Sequence, residues 1–314
     1  MEKKIPLVIV AGATASGKTS LGTQLAKKYN GEVISCDSMQ IYKNLDIGTA
    51  KPTKEEMGDI RHHMIDIVPP TESFSVERFC ALSKEVIEDI YKRGKLPIMV
   101  GGTGLYADNT VYATTFSAPQ RDDALSEEFA RFAEENGNEA LLEILRKEDP
   151  EKAKTLHPND VRRIIRAIET VRVTGKTRKE LDRESRPEES PYNYLYMAID
   201  MDRSILYNRI DKRVDIMLRD GLLEEVKTYI LPKLKEISTA LTAIGYREAV
   251  WYFKGLCTYE EMTELLKRNT RRYAKRQLTW LRRNFDVNWL DYKNSLSQAQ
   301  QLIEERILTD ENTN

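Results

Sequence analysis

The sequence predicts an α/β protein: a parallel sheet covered by helices on both faces, interrupted by a helical insertion. Two observations carry this reading. Short apolar runs alternate with amphipathic stretches through the N-terminal part, and the first run opens into a glycine-rich loop and a helical pattern. From about residue 115 to about residue 189 the apolar spacing becomes helical, with no convincing strand.

The elements follow in order. Leu7-Val8-Ile9-Val10 is a short apolar run ending near Gly12 and reads as a buried parallel strand. Residues 18–29 place Leu21, Leu25 and Ala26 at helical spacing, and residues 32–36 form a second strand. Residues 76–91 are amphipathic, with Phe79, Leu82, Val86, Ile87 and Ile90 on one side, and a third strand follows at 96–100. In the insertion, Phe129, Phe132, Leu141, Leu142, Ile144 and Leu145 recur at helical spacing, as do Ile164, Ile165 and Ile168. A polar, proline-containing stretch, 182–191, closes it. A strand at 194–199 and a long helix at 203–229 come next; the remainder to about residue 305 is read as helical, and 308–314 as frayed. The division expected is therefore a core of 1–114 and 191–314 with an insertion of 115–190.

Composition narrows the function. The chain has 314 residues, 40% of them hydrophobic and 32% charged, enough for about two domains with a sizeable core. Lys+Arg 49 against Asp+Glu 50 leaves a formal net charge of -1. A basic signature for nucleic acid is absent overall, so only uneven placement of cations could serve a polyanion. Cys36, Cys80 and Cys257 are far apart and form no Cys-x-x-Cys pair, which argues against a disulfide scaffold or a zinc site and fits a reducing, cytoplasmic setting. The apolar run after Lys3-Lys4 is too short for a signal peptide, and no stretch approaches the roughly 20 apolar residues that cross a bilayer.

Gly12-Ala13-Thr14-Ala15-Ser16-Gly17-Lys18-Thr19 fits G-x-x-x-x-G-K-[ST] and lies between an apolar strand and a helix, where the motif must lie. Backbone N–H groups and the helix N-terminus cradle a phosphate, Lys18 adds a full charge, and the Thr19 hydroxyl can ligate Mg²⁺. A glycine-rich turn with a solvated lysine would not need that strand–loop–helix context. Phosphate or diphosphate binding follows; the reaction does not.

Ligands of open α/β sheets sit at the carboxyl ends of the strands. The second strand ends in Asp37-Ser38-Met39-Gln40, where Asp37 contacts a metal's water shell, acts as a base, or caps the next turn. The third ends in Gly101-Gly102-Thr103-Gly104-Leu105-Tyr106, without the acidic residue a motor or switch NTPase usually shows there. Arg209 and Arg213 lie four apart on one helix face and suit a lid over a diphosphate; Asp211 and Asp215 allow surface ion pairs instead.

Basic clusters supply what the net charge does not. Arg268, Arg271, Arg272, Lys275, Arg276, Arg282 and Arg283 occur between Leu265 and Phe285 with no acidic residue among them, and Tyr273 and Trp280 are interleaved. Arg162, Arg163 and Arg166 follow His157-Pro158-Asn159-Asp160 in the insertion. The adjacent His62 and His63 are poorly spaced for one metal and read as structural, and His157 as a helix-start residue.

These pieces, in this order, resemble the tRNA dimethylallyltransferase (isopentenyltransferase) family. The matching words are residues 12–19, Asp37-Ser38-Met39-Gln40-Ile41-Tyr42, Asp46-Ile47-Gly48-Thr49-Ala50-Lys51-Pro52, His62-His63-Met64-Ile65-Asp66 and residues 101–106. They continue in His157-Pro158-Asn159-Asp160 with Arg163 and Arg166, Ala243-Ile244-Gly245-Tyr246, and the run from Arg272 to Trp280. The resemblance implies a P-loop NTPase-like parallel sheet flanked by helices, with an all-helical insertion domain that grips the tRNA anticodon stem-loop. It implies transfer of a dimethylallyl group from dimethylallyl diphosphate to N6 of the adenosine 3′ of the anticodon, position 37, with Mg²⁺. Asp37 would be the general base and Thr103 part of the same reaction centre. Residues 12–19 and Arg213 would hold the diphosphate. Asp37, Ser38, Met39, Gln40, Thr103, Val161, Arg162, Arg163, Ile164, Ile165 and Arg166, with Arg272, Lys275 and Arg276 from the basic helix, would meet the RNA. A monomer is expected.

Three departures from the family pattern stand out: Ala13 for a usual proline, the polar Ala107-Asp108-Asn109-Thr110, and Ser126 near a position where arginine is common. Rival readings are a small-metabolite or nucleotide kinase, which leaves the acid-free basic helix unexplained, and an RNA-binding NTPase switch.

Overall fold

In the computed structural model, residues 4–114, 122–185, 187, 189–237 and 239–309 are described. The chain divides into two compact units, one of residues 1–111 with 191–314 and one of residues 112–190.

The first unit is built on six strands: β1 (Ile5–Ala11), β2 (Gly31–Ser35), β3 (His62–His63), β4 (Leu96–Gly101), β5 (Tyr192–Asp200) and β6 (Asn288–Asp291). Their order is β3-β2-β4-β1-β5-β6 and every pairing is parallel. β1 is central because its run is apolar on both faces. Val8 and Val10 pack with Leu21 and Leu25 of the Lys18–Lys28 helix, in a cluster that also holds Ala299 and Ile303 of the Ser295–Ile303 helix. Residues 7 and 9 point the other way by strand alternation. That side is covered by the Val76–Lys92 helix, whose Phe79, Ile87 and Ile90 are buried. Each such side chain contributes about 1.5–3 kcal/mol on burial, so the paired apolar faces, rather than propensity, hold β1 in the middle.

Two strands escaped the sequence pattern. β3 has two residues, and its role lies in a polar network: His63 Nε2 meets a Glu32 carboxylate oxygen at 2.7 Å. The Arg93 guanidinium grips both oxygens of the same carboxylate at 2.6 Å, and Lys95 reaches one at 2.8 Å. These contacts give His63 a structural role and hold the Glu32 carboxyl well below the usual carboxylate range, chiefly through Arg93. β6 corrects the expectation of an all-helical C-terminal region, since Asn288–Asp291 pairs with residues 197–200 of β5. With one buried residue in four, Leu290, this edge strand is too short to show a period. The long helix expected over 203–229 is also divided. Arg203–Arg219 ends before Gly221, whose φ of 109° is left-handed, and Leu222–Glu225 then runs into a π-helical turn.

The second unit is helical: Asp123–Asn136, Asn138–Glu148, Pro150–Ala153, Val161–Thr174 and Arg178–Ser185. Phe129, Leu141, Leu142, Leu145, Ile164, Ile165 and Ile168 form its core. Ser126, one of the three departures noted above, is buried on its first helix.

Candidate active site

The phosphate loop leaves β1 at Ala11 and enters the Lys18–Lys28 helix through Gly17, which caps the helix at φ 98° with no side-chain hydrogen bond. A side chain in that conformation would be strained, and the uncapped N–H groups of the first turn remain for an anion. Within the loop, Ser16 N donates to Ala13 O at 3.2 Å, and Lys18 Nζ donates to the same carbonyl at 3.2 Å. Ser16 Oγ is buried without a hydrogen-bond partner among the described residues. Arg213, on the Arg203–Arg219 helix, donates to Thr14 Oγ1 at 3.3 Å. Burial pushes Lys18 down to about 8, and the Arg213 charge adds to the shift against partial support from Asp37. Burial lowers Arg213 as well, opposed by Glu56 and Asp37. Two desolvated cations that repel each other make a cavity short of one anion.

A cavity of about 300 Å³ opens on this cradle. Thr14, Lys18, Asp37, Arg213 and Gln277 give it a polar lining, and Met39, Ile210, Val214, Met217, Ile244 and Leu266 an apolar one. A small extension brings in Thr19 and Gln40. Hydroxyl and carboxylate oxygens there suit Mg²⁺, which takes one or two protein ligands and fills its shell with water and phosphate oxygens. No group of three or more His, Cys, Asp or Glu among the described residues could hold a metal unaided. A larger open groove of about 490 Å³ along Leu256, Glu261, Glu264 and Arg268 carries neither phosphate loop nor strand end.

Asp37 follows β2. Its Oδ1 accepts from Met39 N at 2.9 Å, so the carboxylate does cap the next turn. That contact fixes its orientation and leaves Oδ2 without a hydrogen bond from any described residue. Thr103 Oγ1 accepts from Ser38 N at 3.1 Å, and Thr103 N donates to Cys36 O at 3.2 Å, stitching the β4 turn to the β2 turn. Tyr273 joins them: burial and then the Asp37 carboxylate push its phenol up, against a hydrogen bond with Thr103. Both ends of the Gln40 amide are engaged within the chain, with Ser35 Oγ at 2.8 Å and Ala50 O at 3.2 Å.

Arg209 and Arg213 diverge. Arg213 lines the cavity, whereas Arg209 is exposed and its guanidinium lies over Tyr292. Asp211 and Asp215 pair with Arg271 at 2.5 Å and Lys267 at 2.7 Å, so neither is the partner of the two arginines. Both cations come from the Tyr259–Leu281 helix, whose buried stripe includes Met262, Leu266, Ala274, Gln277 and Leu281. Arg268, Arg272, Lys275 and Arg276 are exposed on it, and the salt bridges found among the described residues involve none of them. Arg276 also lines the cavity, its guanidinium 5.6 Å from the Tyr273 ring centre. Arg271, by contrast, is a structural ion pair.

In the insertion unit, Arg162 and Arg163 are exposed and Val161 is half-buried. Arg166 pairs with Glu169 at 2.8 Å. Ile164 and Ile165 have their side chains in the helical core, so any contact from these two positions would involve backbone. The turn before them is local: Asn159 N donates to His157 Nδ1 at 3.2 Å.

Comparison with known proteins fixes the family. The IPP transferase family model matches residues 40–284. The chain belongs to that family. It is similar, at 47% identity over 289 residues, to the tRNA dimethylallyltransferase of Bacillus pumilus, covering 92% of this chain and 90% of the relative. At 46% over 308 residues it is similar to the tRNA dimethylallyltransferase of Halothermothrix orenii, covering 96% and 94%. Its structure is similar to the full-length tRNA isopentenylpyrophosphate transferase of Bacillus halodurans, with a TM-score of 0.73 at 41% identity, over 98% of this chain and all (100%) of that one. It is also similar to a eukaryotic dimethylallyltransferase solved acting on tRNA, with a TM-score of 0.80 at 31% identity, over 97% of this chain and 80% of that one.

Two of this IPP transferase's departures now have local accounts. Asp108 accepts from Trp280 Nε1 at 2.7 Å and from Asn284 Nδ2 at 3.4 Å, so the polar helix start is satisfied inside the core. Ala13 is buried against Met201, Leu206 and Ile210. Sequence reasoning missed Tyr273 and Gln277 as cavity residues, and it missed Glu225. The Glu225 carboxylate accepts from Asp46 N, Ile47 N and Gly48 N at 2.6, 2.8 and 2.9 Å and from Tyr246 Oη at 2.9 Å, which holds the wall formed by Gly48, Thr49 and Ala50. The available signal was a polar residue on an apolar helical stripe.

Proposed function

We propose that this enzyme transfers the dimethylallyl group of dimethylallyl diphosphate to N6 of the adenosine 3′ of the tRNA anticodon, position 37, and releases diphosphate. One observation carries the reading: Lys18, Arg213 and Asp37 line a single cavity that also has an apolar patch of Met39, Ile210, Val214, Met217, Ile244 and Leu266. A diphosphate needs the cations, a five-carbon chain needs the apolar wall, and an amine losing a proton needs the carboxylate.

In this reading N6 bonds to the terminal prenyl carbon as the carbon–oxygen bond breaks, the electron pair leaves on the diphosphate, and the N6 proton passes to Asp37. Adenine N6 is a poor nucleophile because its lone pair is delocalised into the ring, and it becomes acidic only as the bond forms. A weak carboxylate base held within reach is then sufficient. Charge growing on the leaving oxygen is met by loop N–H groups, Lys18 and Arg213, all in place beforehand. Mg²⁺, held through Thr19 and the phosphates, would supply further positive charge there. Extruding the adenine costs on the order of a few kcal/mol, least for a single-stranded loop. Arg272, Lys275 and Arg276 would neutralise RNA phosphates near the cavity, and Arg162, Arg163 and the insertion would grip the stem-loop.

The test is mass spectrometry of nucleosides from unmodified tRNA treated with purified protein and dimethylallyl diphosphate, which should gain one prenyl unit on adenosine. Asp37→Ala should abolish transfer and leave tRNA affinity nearly intact. Full activity in that variant would remove the base assignment, and RNA-stimulated ATP hydrolysis without transfer would select a switch protein.

A further inference from the structure

We propose that Gln277 is a positioning residue: its amide latches the phosphate loop to the Gly101–Thr103 turn, holding the diphosphate cradle and the Asp37–Thr103 side of the cavity in one fixed geometry. The proposal rests on the reading of this cavity as the prenyl-transfer site. Gln277 is only 6% exposed and sits on a helical stripe whose other buried members are apolar. A primary amide in such a place is costly unless both its ends are bonded. Both are. Oε1 accepts from Thr14 N at 2.9 Å, and Nε2 donates to Gly102 O at 2.9 Å.

The two partners leave the amide no choice of orientation, because a backbone N–H only donates and a carbonyl only accepts. On one side Thr14 lies in the phosphate loop and its hydroxyl accepts from Arg213. On the other, Gly102 precedes Thr103, whose hydroxyl accepts from Ser38 beside Asp37. One side chain therefore spans the turns that follow β1 and β4. Gly102 is built for this approach, since a Cβ there would fall 2.1 Å from Gln277 Nε2. The Thr14 N–H, being taken, serves the shape of the loop rather than the phosphate itself.

The chemistry of the latch gives a specific signature. Gln277→Met keeps the volume and removes both bonds. Gln277→Glu keeps the acceptor for Thr14 N, but an ionised carboxylate opposes Gly102 O; protonated, it regains the donor. Steady-state transfer by the full-length protein tests this. Loss of geometry of this kind costs roughly 10- to 100-fold in rate, so Gln277→Met should lose that much in kcat with its tRNA KM changed less than about twofold. The activity of Gln277→Glu relative to wild type should rise as pH falls from 8 to 6, the reverse of what an ionised base demands. Wild-type kcat in Gln277→Met, or a Gln277→Glu ratio flat with pH, would overturn the latch; the second variant decides if the first does not fold. Should wild type transfer no prenyl group, the functional reading fails by itself. The latch is then judged on inorganic diphosphate affinity, which should fall about tenfold in Gln277→Met; unchanged affinity would overturn it.

Discussion

Lys18 offers the most quantitative test of the cradle. Its ammonium is buried and faces the Arg213 guanidinium, which together bring its pKa from 10.5 down to about 8, with Asp37 opposing. In the ligand-free enzyme it is then about 90% charged at pH 7 and about 10% charged at pH 9. A bound prenyl diphosphate, largely ionised in this range, supplies the missing anion and holds the proton on. Affinity for dimethylallyl diphosphate without tRNA should therefore fall about tenfold from pH 7 to pH 9, or about 1.4 kcal/mol. At pH 9, binding should take up about 0.9 proton per site, visible as calorimetric heats that depend on the buffer. Lys18→Arg, charged throughout, should bind with a flat pH profile. A flat wild-type profile, or an unchanged slope in Lys18→Arg, would refute the assignment. The sign for stability is opposite. Because the folded pKa lies below the unfolded one, the unfolded chain holds more protons between about 8 and 10.5. Ligand-free stability should rise with pH across that window.

Two further outcomes follow from surfaces away from the reacting atoms. Neutralising Arg272 and Lys275 together should lower tRNA affinity and reduce the salt slope of binding by about 1.4–1.8, with kcat at saturating tRNA unchanged; an unaltered slope would show that neither meets a phosphate. Glu32→Gln should cost about 2 kcal/mol by urea unfolding at pH 7, below the roughly 3–5 kcal/mol for breaking a fully buried pair because Arg93 and Lys95 still reach water, and leave kcat alone. The Glu32 contribution is present above its ordinary value of 4.5 and fades below it, so the difference should shrink in acid; a pH-independent difference would point to lost packing instead.

What could be read from the sequence was whatever has a short period or a fixed spacing. The 7–10 run, the 12–19 loop and the strands ending at Asp37 and Gly101 are local patterns, and the sheet follows from them. Residues that act through distant partners were invisible for the same reason. Gln277 meets Thr14 across 263 positions and Gly102 across 175, and no local rule links a helix-borne glutamine to a phosphate loop. Glu225 stands out only as an acid on an apolar stripe, and its partners, three backbone N–H groups from the Asp46–Gly48 segment, are 177 to 179 positions away. Charge reading was only half sufficient. It found the acid-free basic run, but not that Arg271 is drawn to Asp211 while Arg272 is left exposed.

In the proposed reading, the Tyr259–Leu281 helix is what lets a protein of net charge -1 meet a polyanion. Tyr273, Arg276 and Gln277 are spaced three and four apart and so share a face, which lines the cavity. Arg272 lies about 100° and Lys275 about 160° around the helix from Tyr273, off that face, and both are exposed. An adenine drawn from a loop stays tethered to its own phosphates, so cations serve it best within a turn or so of the pocket, about 5 Å along the axis. One helix meets both demands, and that arrangement separates them. Removing charge at Arg272 and Lys275 should alter binding without altering the chemical step, while unlatching Gln277, two residues on, should do the reverse. If both changes moved kcat and tRNA affinity together, the helix would be acting as a single structural support and the two faces would have no independent roles.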